Sequence, residues 1–185
     1  MNDALLVMDV QNGIVERFAE QAEPLLSELA QTIAAARTAN VPVIYVRIAF
    51  RDGTPEVSSR NKTFAERAGS NAMSETSEAT QVHAAVAPQA GDIVVTKKRV
   101  SAFTGSDLDV VLRSLDADSL VLTGIATSGV VLSTLRQAAD LDYGLTVLRD
   151  CCADGDAEVH DVLLDKVFPR QATVLLAAEW RATLR

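Results

Sequence analysis

The chain has 185 residues, of which 48% are hydrophobic, and its 25 acidic and 17 basic side chains give a formal net charge of −8. A chain of this length can bury one sizeable core, so we expect a single domain over residues 1–185, and the hydrophobic share excludes a globally disordered chain. The acidic balance and the low aromatic content, 4%, argue against a nucleic-acid-binding protein. The acidic charge also argues against a surface held by anionic lipid.

Six short apolar runs are rich in Val, Ile or Leu and show little polar alternation, which is typical of strands buried on both faces. We predict strands at Ala4–Met8, Val43–Val46, Ile93–Val95, Leu120–Leu122, Leu145–Leu148 and Thr173–Leu176. The first run has no basic segment before it and stops at Asp9, so it does not match a signal peptide. No stretch approaches the ~18 apolar residues of a membrane span, and we expect a cytoplasmic protein with no membrane partner.

Helix candidates lie between the apolar runs, where apolar residues recur at spacings of three and four. The candidates are Leu25–Thr38, Thr80–Val86, Asp107–Leu115, Gly129–Leu141, Glu158–Val167 and Ala177–Leu184. Strands that alternate with helices predict an α/β fold, with a parallel sheet covered by helices on both faces. Functional residues of such folds lie beyond the carboxyl ends of the strands, so the residues after each strand are the first candidates.

The segment Arg47–Thr80 interrupts the alternation, because it is long and carries Gly, Pro and several charged residues. A loop of this length in a compact domain is commonly functional or mobile. We interpret it as a lid or a dimer-contact segment, with a plain surface excursion as the alternative.

Three strand ends carry polar residues that are unusual in such positions. Asp9 follows five apolar residues, and a buried acid there is costly without a partner, although it could also cap a turn. Lys97 follows the third strand and could pair with Asp9, although lysines in basic runs are commonly solvated. The fourth strand leads through Gly124 into an apolar helix start, where backbone N–H groups can face an anion or oxyanion.

Together these strand ends resemble the isochorismatase-like hydrolases, whose members are mostly cysteine hydrolases. The resemblance covers nearly the whole chain, and its most specific parts follow the first, third and fourth strands. They are Asp9-Val10-Gln11-Asn12, Lys97-x-Arg99-x-Ser101-Ala102-Phe103-x-Gly105-x-Asp107-Leu108 and Gly124-Ile125-Ala126-Thr127.

The resemblance implies a Rossmann-like three-layer sandwich with a six-stranded, mainly parallel sheet, in a protein that is a homodimer or homotetramer. It places the family's catalytic aspartate on Asp9 and its lysine on Lys97, and it implies a cis peptide near Ile125–Ala126. The expected substrate is a small molecule. The residues expected to bind it or to stabilise an oxyanion are Ile125, Ala126, Val130, Phe103 and Gln11.

One position departs from the family. The nucleophilic cysteine of the family lies six residues after the glycine of Gly-x-x-Thr, and here that position is Val130. A valine cannot attack a substrate, which excludes thiol catalysis at this position. Ser128 and the adjacent pair Cys151 and Cys152 remain alternative nucleophiles.

No cofactor or catalytic metal is expected. The chain lacks the Gly-rich nucleotide fingerprints and the Asp and His pattern of metal-dependent relatives, and its two histidines are His83 and His160. Asp156, Glu158 and His160 could suggest metal ligands, but a solvated helix start is the favoured interpretation.

Three functions remain open. The first is a thiol-independent hydrolase that acts on a vinyl ether or an amide, with Asp9 as general acid or base, Lys97 tuning it, and Arg47, Arg51 or Arg99 binding a substrate carboxylate. Isochorismatases proper provide a thiol-free precedent, since an aspartate there protonates an alkene carbon. The second is an inactive binding or assembly protein. The third is a cysteine hydrolase with a relocated thiol.

Overall fold

Six parallel strands form one sheet at the centre of the computed structural model, which describes residues 2–184 without the side chain of Glu20. The strands are β1 Asp3–Met8, β2 Val43–Ile48, β3 Ile93–Lys97, β4 Ser119–Ile125, β5 Gly144–Ala153 and β6 Thr173–Leu175. Their order across the sheet is β3-β2-β1-β4-β5-β6, so the direction of winding reverses between β1 and β4. The predicted fold class is confirmed, and the carboxyl ends of β1 and β4 border the crevice where ligands bind in such sheets.

Helices cover both faces of the sheet. They are α1 Asn12–Val15, α2 Ala19–Thr38, α3 Leu108–Ser114, α4 Leu132–Asp140, α5 Ala157–Val162 and α6 Ala177–Arg181. Wide π-type turns at Thr127–Val131 and Leu163–Val167 precede α4 and follow α5. Among residues 2–184, no helix combines the length and apolar character needed to cross a membrane.

The side chains of β1 explain the uninterrupted apolar runs. Leu6 and Met8 belong to the core under α3 and α4, whereas Leu5 and Val7 belong to the core under α2. A strand between two helical layers must be apolar on both faces. Each fully buried Leu or Val side chain contributes roughly 1.5–3 kcal/mol, so these two cores hold the strand ends in place.

Two predicted helices differ from the structure. Helix α2 begins at Ala19 rather than Leu25, and Pro24 lies inside it. The sequence pattern predicts a helix start after Pro24, because a proline has no N–H to donate. The predicted helix Thr80–Val86 is wrong: short 3₁₀ turns end at Thr80 and begin at Ala84. Between them His83 N donates to Val10 O at 2.9 Å, so tertiary pairing overrides the local helical pattern.

Residues 49–80, here called the cap segment, fold over the carboxyl edge of the sheet. Phe50 and Phe64 form an edge-to-face pair with ring centroids 5.5 Å apart. Phe50 N donates to Met73 O at 2.8 Å and Glu75 N donates to Phe50 O at 2.9 Å, which ties the two ends of the segment together. The segment therefore has its own small core and a fixed path beside the strand ends.

Candidate active site

A buried ion pair joins the ends of β1 and β3. Lys97 Nζ lies 2.7 Å from Asp9 Oδ2, and the two residues are 1% and 6% exposed. Asp9 N donates to Val46 O of the intervening strand at 2.8 Å. Lys97 Nζ also donates to Val100 O at 2.6 Å, so the ammonium group is held from two sides.

The backbone at the end of β1 is fixed by an unusual turn. Asp9 has φ +58°, a left-handed conformation that Asp tolerates better than most residues. On the neighbouring strand Gly124 has φ +135°, and a Cβ there would lie 2.1 Å from Met8 O. Only glycine fits at this position, because any side chain would displace the strand end that carries Asp9.

Burial pushes both members of the pair toward their neutral forms. It raises the pKa of the Asp9 carboxyl above its ordinary value, and the attraction and hydrogen bond of Lys97 only partly offset this. Burial likewise lowers the pKa of the Lys97 ammonium, against the influence of Asp9. Asp9 Oδ1 is buried and finds no hydrogen-bond partner in the described part of the chain. The carboxyl group therefore has one oxygen held by Lys97 and one left for another ligand.

A cavity of about 370 Å³ borders the ion pair. Asp9 and Lys97 line it together with Ile125, Ala126 and Val130 from the end of β4 and the following turn. The cap segment supplies much of the remaining wall, including Phe64, Arg67 and Met73. The structure thus brings together six of the seven residues named from the sequence, all except Phe103, and it makes the long segment a wall of the cavity.

Gln11 also lines the cavity, but its side-chain amide is engaged with the backbone. Nε2 donates to Ile48 O at 3.0 Å and to Thr80 O at 2.8 Å, while Oε1 accepts from Ile48 N at 2.8 Å. Gln11 therefore ties the end of β2 and the end of the cap segment to β1. Its contacts are those of a positioning residue rather than of a ligand-binding amide.

Other residues named from the sequence lie elsewhere. Phe103 is 8% exposed, packs in the core beside Tyr143 with ring centroids 6.1 Å apart, and does not line the cavity. None of the three arginines expected to bind a carboxylate lines it either. Arg47 bonds to Thr96 and Gln81, Arg51 pairs with Glu56, and Arg99 donates to the backbone oxygens of Lys98 and Glu56.

Instead, Arg17 and Arg67 supply the guanidinium groups of the cavity wall. The sequence offered no signal for this, because Arg17 precedes the predicted helix and Arg67 belongs to a segment whose path depends on tertiary contacts.

The turn after β4 contains a cis peptide between Ile125 and Ala126, which confirms the expectation from the resemblance. Two of its N–H groups are already bonded: Ser128 N donates to Asp154 Oδ2 at 2.6 Å, and Gly129 N donates to Ala126 O at 3.1 Å. The Thr127 hydroxyl lies 2.8 Å from His160 Nδ1. The turn is thus held by Asp154, which directly follows β5, and by His160 of α5, and these two N–H groups are not available to a substrate.

The alternative nucleophiles lie away from the cavity. Cys151 and Cys152 point into the cores on opposite faces of β5, and neither lines the cavity. Burial raises the pKa of the Cys151 thiol to about 12 and raises that of Cys152 strongly as well. Ser128 is exposed and does not line the cavity.

Within residues 2–184, no three His, Cys, Asp or Glu side chains cluster closely enough to hold a metal ion. The Asp156 carboxylate caps α5 by accepting from Glu158 N at 2.9 Å and Val159 N at 3.1 Å. The carboxylate thus acts as a helix cap, and the absence of a catalytic metal stays a prediction.

Comparison with known proteins identifies the family and agrees with the fold. Residues 3–179 match the model of the isochorismatase domain. The isochorismatase family protein YwoC of Bacillus subtilis is 32% identical over 167 residues, which cover 90% of this chain and 86% of that protein. Ureidoacrylate amidohydrolase RutB of Variovorax paradoxus is 34% identical over 170 residues, which cover 80% of this chain and 68% of that enzyme.

Solved structures agree. An isochorismatase family protein of Burkholderia thailandensis superposes with a TM-score of 0.85 at 30% identity, covering 99% of this chain and 95% of that chain. N-carbamoylsarcosine amidase of Thermoplasma acidophilum superposes with a TM-score of 0.78 at 27% identity, covering 96% of this chain and 97% of that chain. The chain therefore belongs to the isochorismatase family of hydrolases.

Proposed function

We propose that this chain is a hydrolase that works without a cysteine nucleophile, with Asp9 as the proton-transferring group and Lys97 as its electrostatic partner. The observation that carries the proposal is the buried Asp9–Lys97 pair at a cavity whose wall holds Val130. By the resemblance of the Gly-x-x-Thr motif, Val130 stands where the family carries its cysteine. Neither of the chain's thiols lines that cavity, which supports a thiol-free reaction.

The raised pKa of Asp9 makes the carboxyl a better proton donor at a given pH than an ordinary carboxylate, and it suits a group that both gives and takes a proton. For a vinyl ether, Asp9 gives its proton to the alkene carbon and water adds to the ether carbon. One proton of the water returns to Asp9, and the other passes from the new hydroxyl group to the ether oxygen as the C–O bond breaks, which releases an alcohol and leaves a carbonyl group. For an amide, Asp9 takes a proton from a water molecule while the oxygen of that water bonds to the carbonyl carbon. Asp9 then passes that proton to the nitrogen as the C–N bond breaks.

Both substrate types stay within the proposal. The names of two relatives, ureidoacrylate amidohydrolase and N-carbamoylsarcosine amidase, favour an amide. Loss of the thiol and the raised pKa of Asp9 favour a vinyl ether. The proposal further includes one domain, a cytoplasmic location, no cofactor, a small-molecule substrate and self-association as a dimer or tetramer.

The test is a turnover screen of ureido acids, N-carbamoyl compounds and vinyl ethers. We expect turnover that survives iodoacetamide and falls by about 10²-fold or more in Asp9→Asn. The control Asp140→Asn removes an exposed carboxylate at the end of α4 and leaves turnover unchanged. Thermal melting of each variant confirms that it is folded.

The other functions predict different results. Full turnover in Asp9→Asn contradicts the proposal. Loss of turnover on alkylation indicates a relocated thiol. A panel without turnover, together with a ligand-induced rise in Tm, indicates a binding protein.

A further inference from the structure

The charges around the cavity are unbalanced. Asp9 is the one acidic side chain that lines it in the described part of the chain, whereas Lys97, Arg17 and Arg67 are basic. Lys97 and Asp9 pair with each other, which leaves two guanidinium groups without a counter-charge in the cavity wall. In a chain with a formal net charge of −8, this is a local reversal of charge. Such a reversal attracts an anion to the cavity.

The two arginines and the ion pair differ in exposure. Asp9 and Lys97 are 6% and 1% exposed, whereas Arg67 is half-buried and Arg17 is exposed. Arg17 lies in the turn Glu16–Phe18 between α1 and α2, and Arg67 ends the turn Ala65–Arg67 of the cap segment. The cavity is therefore buried where the ion pair lines it and more open to solvent where the arginines line it.

Arg67 is placed to bind a further group. Its Nη1 donates to Thr63 O at 3.0 Å, which orients the guanidinium from within the cap segment. No carboxylate among the side chains described for residues 2–184 lies within ion-pair distance of Arg67. A guanidinium carries five N–H donors in a planar fork that fits a carboxylate, so one backbone bond leaves donors for a ligand.

Apolar side chains line much of the rest of the cavity. Ile14, Phe64, Met73 and Val130 are among them. A ligand that fills the cavity therefore needs an apolar body, with an anionic group at one end and the reacting bond at the other.

From this arrangement we infer that the substrate is a small carboxylate, whose carboxylate group is bound by Arg67 and Arg17 at the exposed end of the cavity. The position of this carboxylate group relative to the reacting bond rests on the proposed function of Asp9. The binding of the carboxylate group by the arginines does not depend on that proposed function. Arg67 and Arg17 are then specificity-determining residues, because a neutral analogue leaves the guanidinium groups without a partner when the cavity is filled.

The test measures binding without turnover. The probes are 4-pentenoate and 4-penten-1-ol, which share an apolar body, differ in charge and carry no hydrolysable bond. By calorimetry we expect wild-type protein to bind the carboxylate at least about tenfold more tightly than the alcohol. Arg67→Gln should reduce this preference to less than about threefold, and Arg17→Gln should reduce it to a smaller extent because Arg17 is more exposed.

Matched variants separate charge from structure. Arg60→Gln removes an exposed arginine of the same segment that does not line the cavity, and it should keep the wild-type preference. Arg67→Lys keeps the charge without the planar fork and should retain part of the preference. Equal affinity of wild type for the two probes, binding of neither probe, or an unchanged preference in Arg67→Gln would each overturn the inference.

The outcome is independent of the catalytic proposal. If Asp9→Asn retains full turnover while the carboxylate preference depends on Arg67, the proposed mechanism fails and the anion site stands. If Asp9→Asn loses turnover and the two probes bind equally, the proposed mechanism stands and the anion site fails.

Discussion

Asp9 is the residue at which the structure changes the chemical argument most. A carboxyl beside a lysine ordinarily has a lowered pKa, which suits a base better than an acid. Here burial outweighs the lysine and raises the pKa of Asp9, because both residues are almost completely removed from water. Burial thus shifts both groups toward their neutral forms, which fits the proton-transferring role that we propose for Asp9.

Val130 offers a direct test of access to the cavity. The change Val130→Cys places a thiol in the cavity wall with little change in volume, whereas the native thiols are buried in the cores, with Cys151 0% and Cys152 6% exposed. We expect the variant to gain one site that iodoacetamide labels faster than either native thiol. Intact mass after timed labelling measures this. A labelling rate equal to that of wild type would show that the cavity is closed to small molecules.

Gly124 tests how strictly the backbone is fixed beside Asp9. A Cβ at Gly124 would lie 2.1 Å from Met8 O, and the φ of +135° is itself unfavourable for other residues. Gly124→Ala should therefore lower the free energy of unfolding by about 3 kcal/mol or more, as measured by urea denaturation.

Gly155→Ala is the matched control, because a Cβ at Gly155 meets no atom within 4 Å. This variant should stay within about 1 kcal/mol of wild type. Equal effects of the two substitutions would contradict the steric argument.

At the scale of elements, the cap segment is the part that sequence patterns describe least well. Its composition indicates a long loop and suggests a lid, and the structure shows that it lines the cavity. Its course depends on contacts that are distant in sequence, such as the Phe50–Phe64 pair and the amide of Gln11. For the same reason the predicted helix Thr80–Val86 gives way to short turns, because its backbone pairs with the residues after β1.

Gln11 tests whether the cap segment depends on its link to β1. Gln11→Ala removes three buried hydrogen bonds and leaves the Ile48 N–H and the Ile48 and Thr80 oxygens without that partner. We expect a loss of about 2–4 kcal/mol in the free energy of unfolding and faster hydrogen exchange in residues 49–80. Gln31→Ala, on the exposed face of α2, should change neither measurement. Unchanged exchange in the cap segment of Gln11→Ala would refute a linking role.

At the scale of the whole molecule, the sequence is sufficient for the architecture and for part of the site. The apolar runs locate all six strands, because both faces of each strand must be buried. Asp9, Lys97 and the turn after Gly124 could be predicted to converge, because the ends of parallel strands share one edge. The sequence does not predict that Arg17 and Arg67 join them, because the positions of these arginines depend on the turn before α2 and on the folded cap segment.

Burial of the Asp9–Lys97 pair also lowers the free energy of unfolding of the whole molecule, by an amount that depends on pH. Because the pKa of Asp9 is raised in the folded protein, the contribution of Asp9 to the free energy of unfolding is fully present below its ordinary pKa of 3.8. This contribution is lost as the pH rises through the pKa of the folded state. Because the pKa of Lys97 is lowered in the folded protein, the contribution of Lys97 to the free energy of unfolding is fully present above its ordinary pKa of 10.5. This contribution is lost as the pH falls through the pKa of the folded state. Near neutral pH both contributions are therefore reduced.

The double variant Asp9→Asn/Lys97→Met removes both titrating groups and should be more stable than wild type near neutral pH. This advantage should shrink toward pH 3.8 and toward pH 10.5, the ordinary pKa values of the two groups. Lys97→Met alone should be less stable than wild type, because it leaves the Asp9 carboxyl buried without its partner. Urea denaturation of the three proteins across this pH range measures the effect. A double variant that is less stable than wild type at neutral pH would show that the pair stabilises the fold, and the pair would then be a structural feature rather than a site maintained at a cost for chemistry.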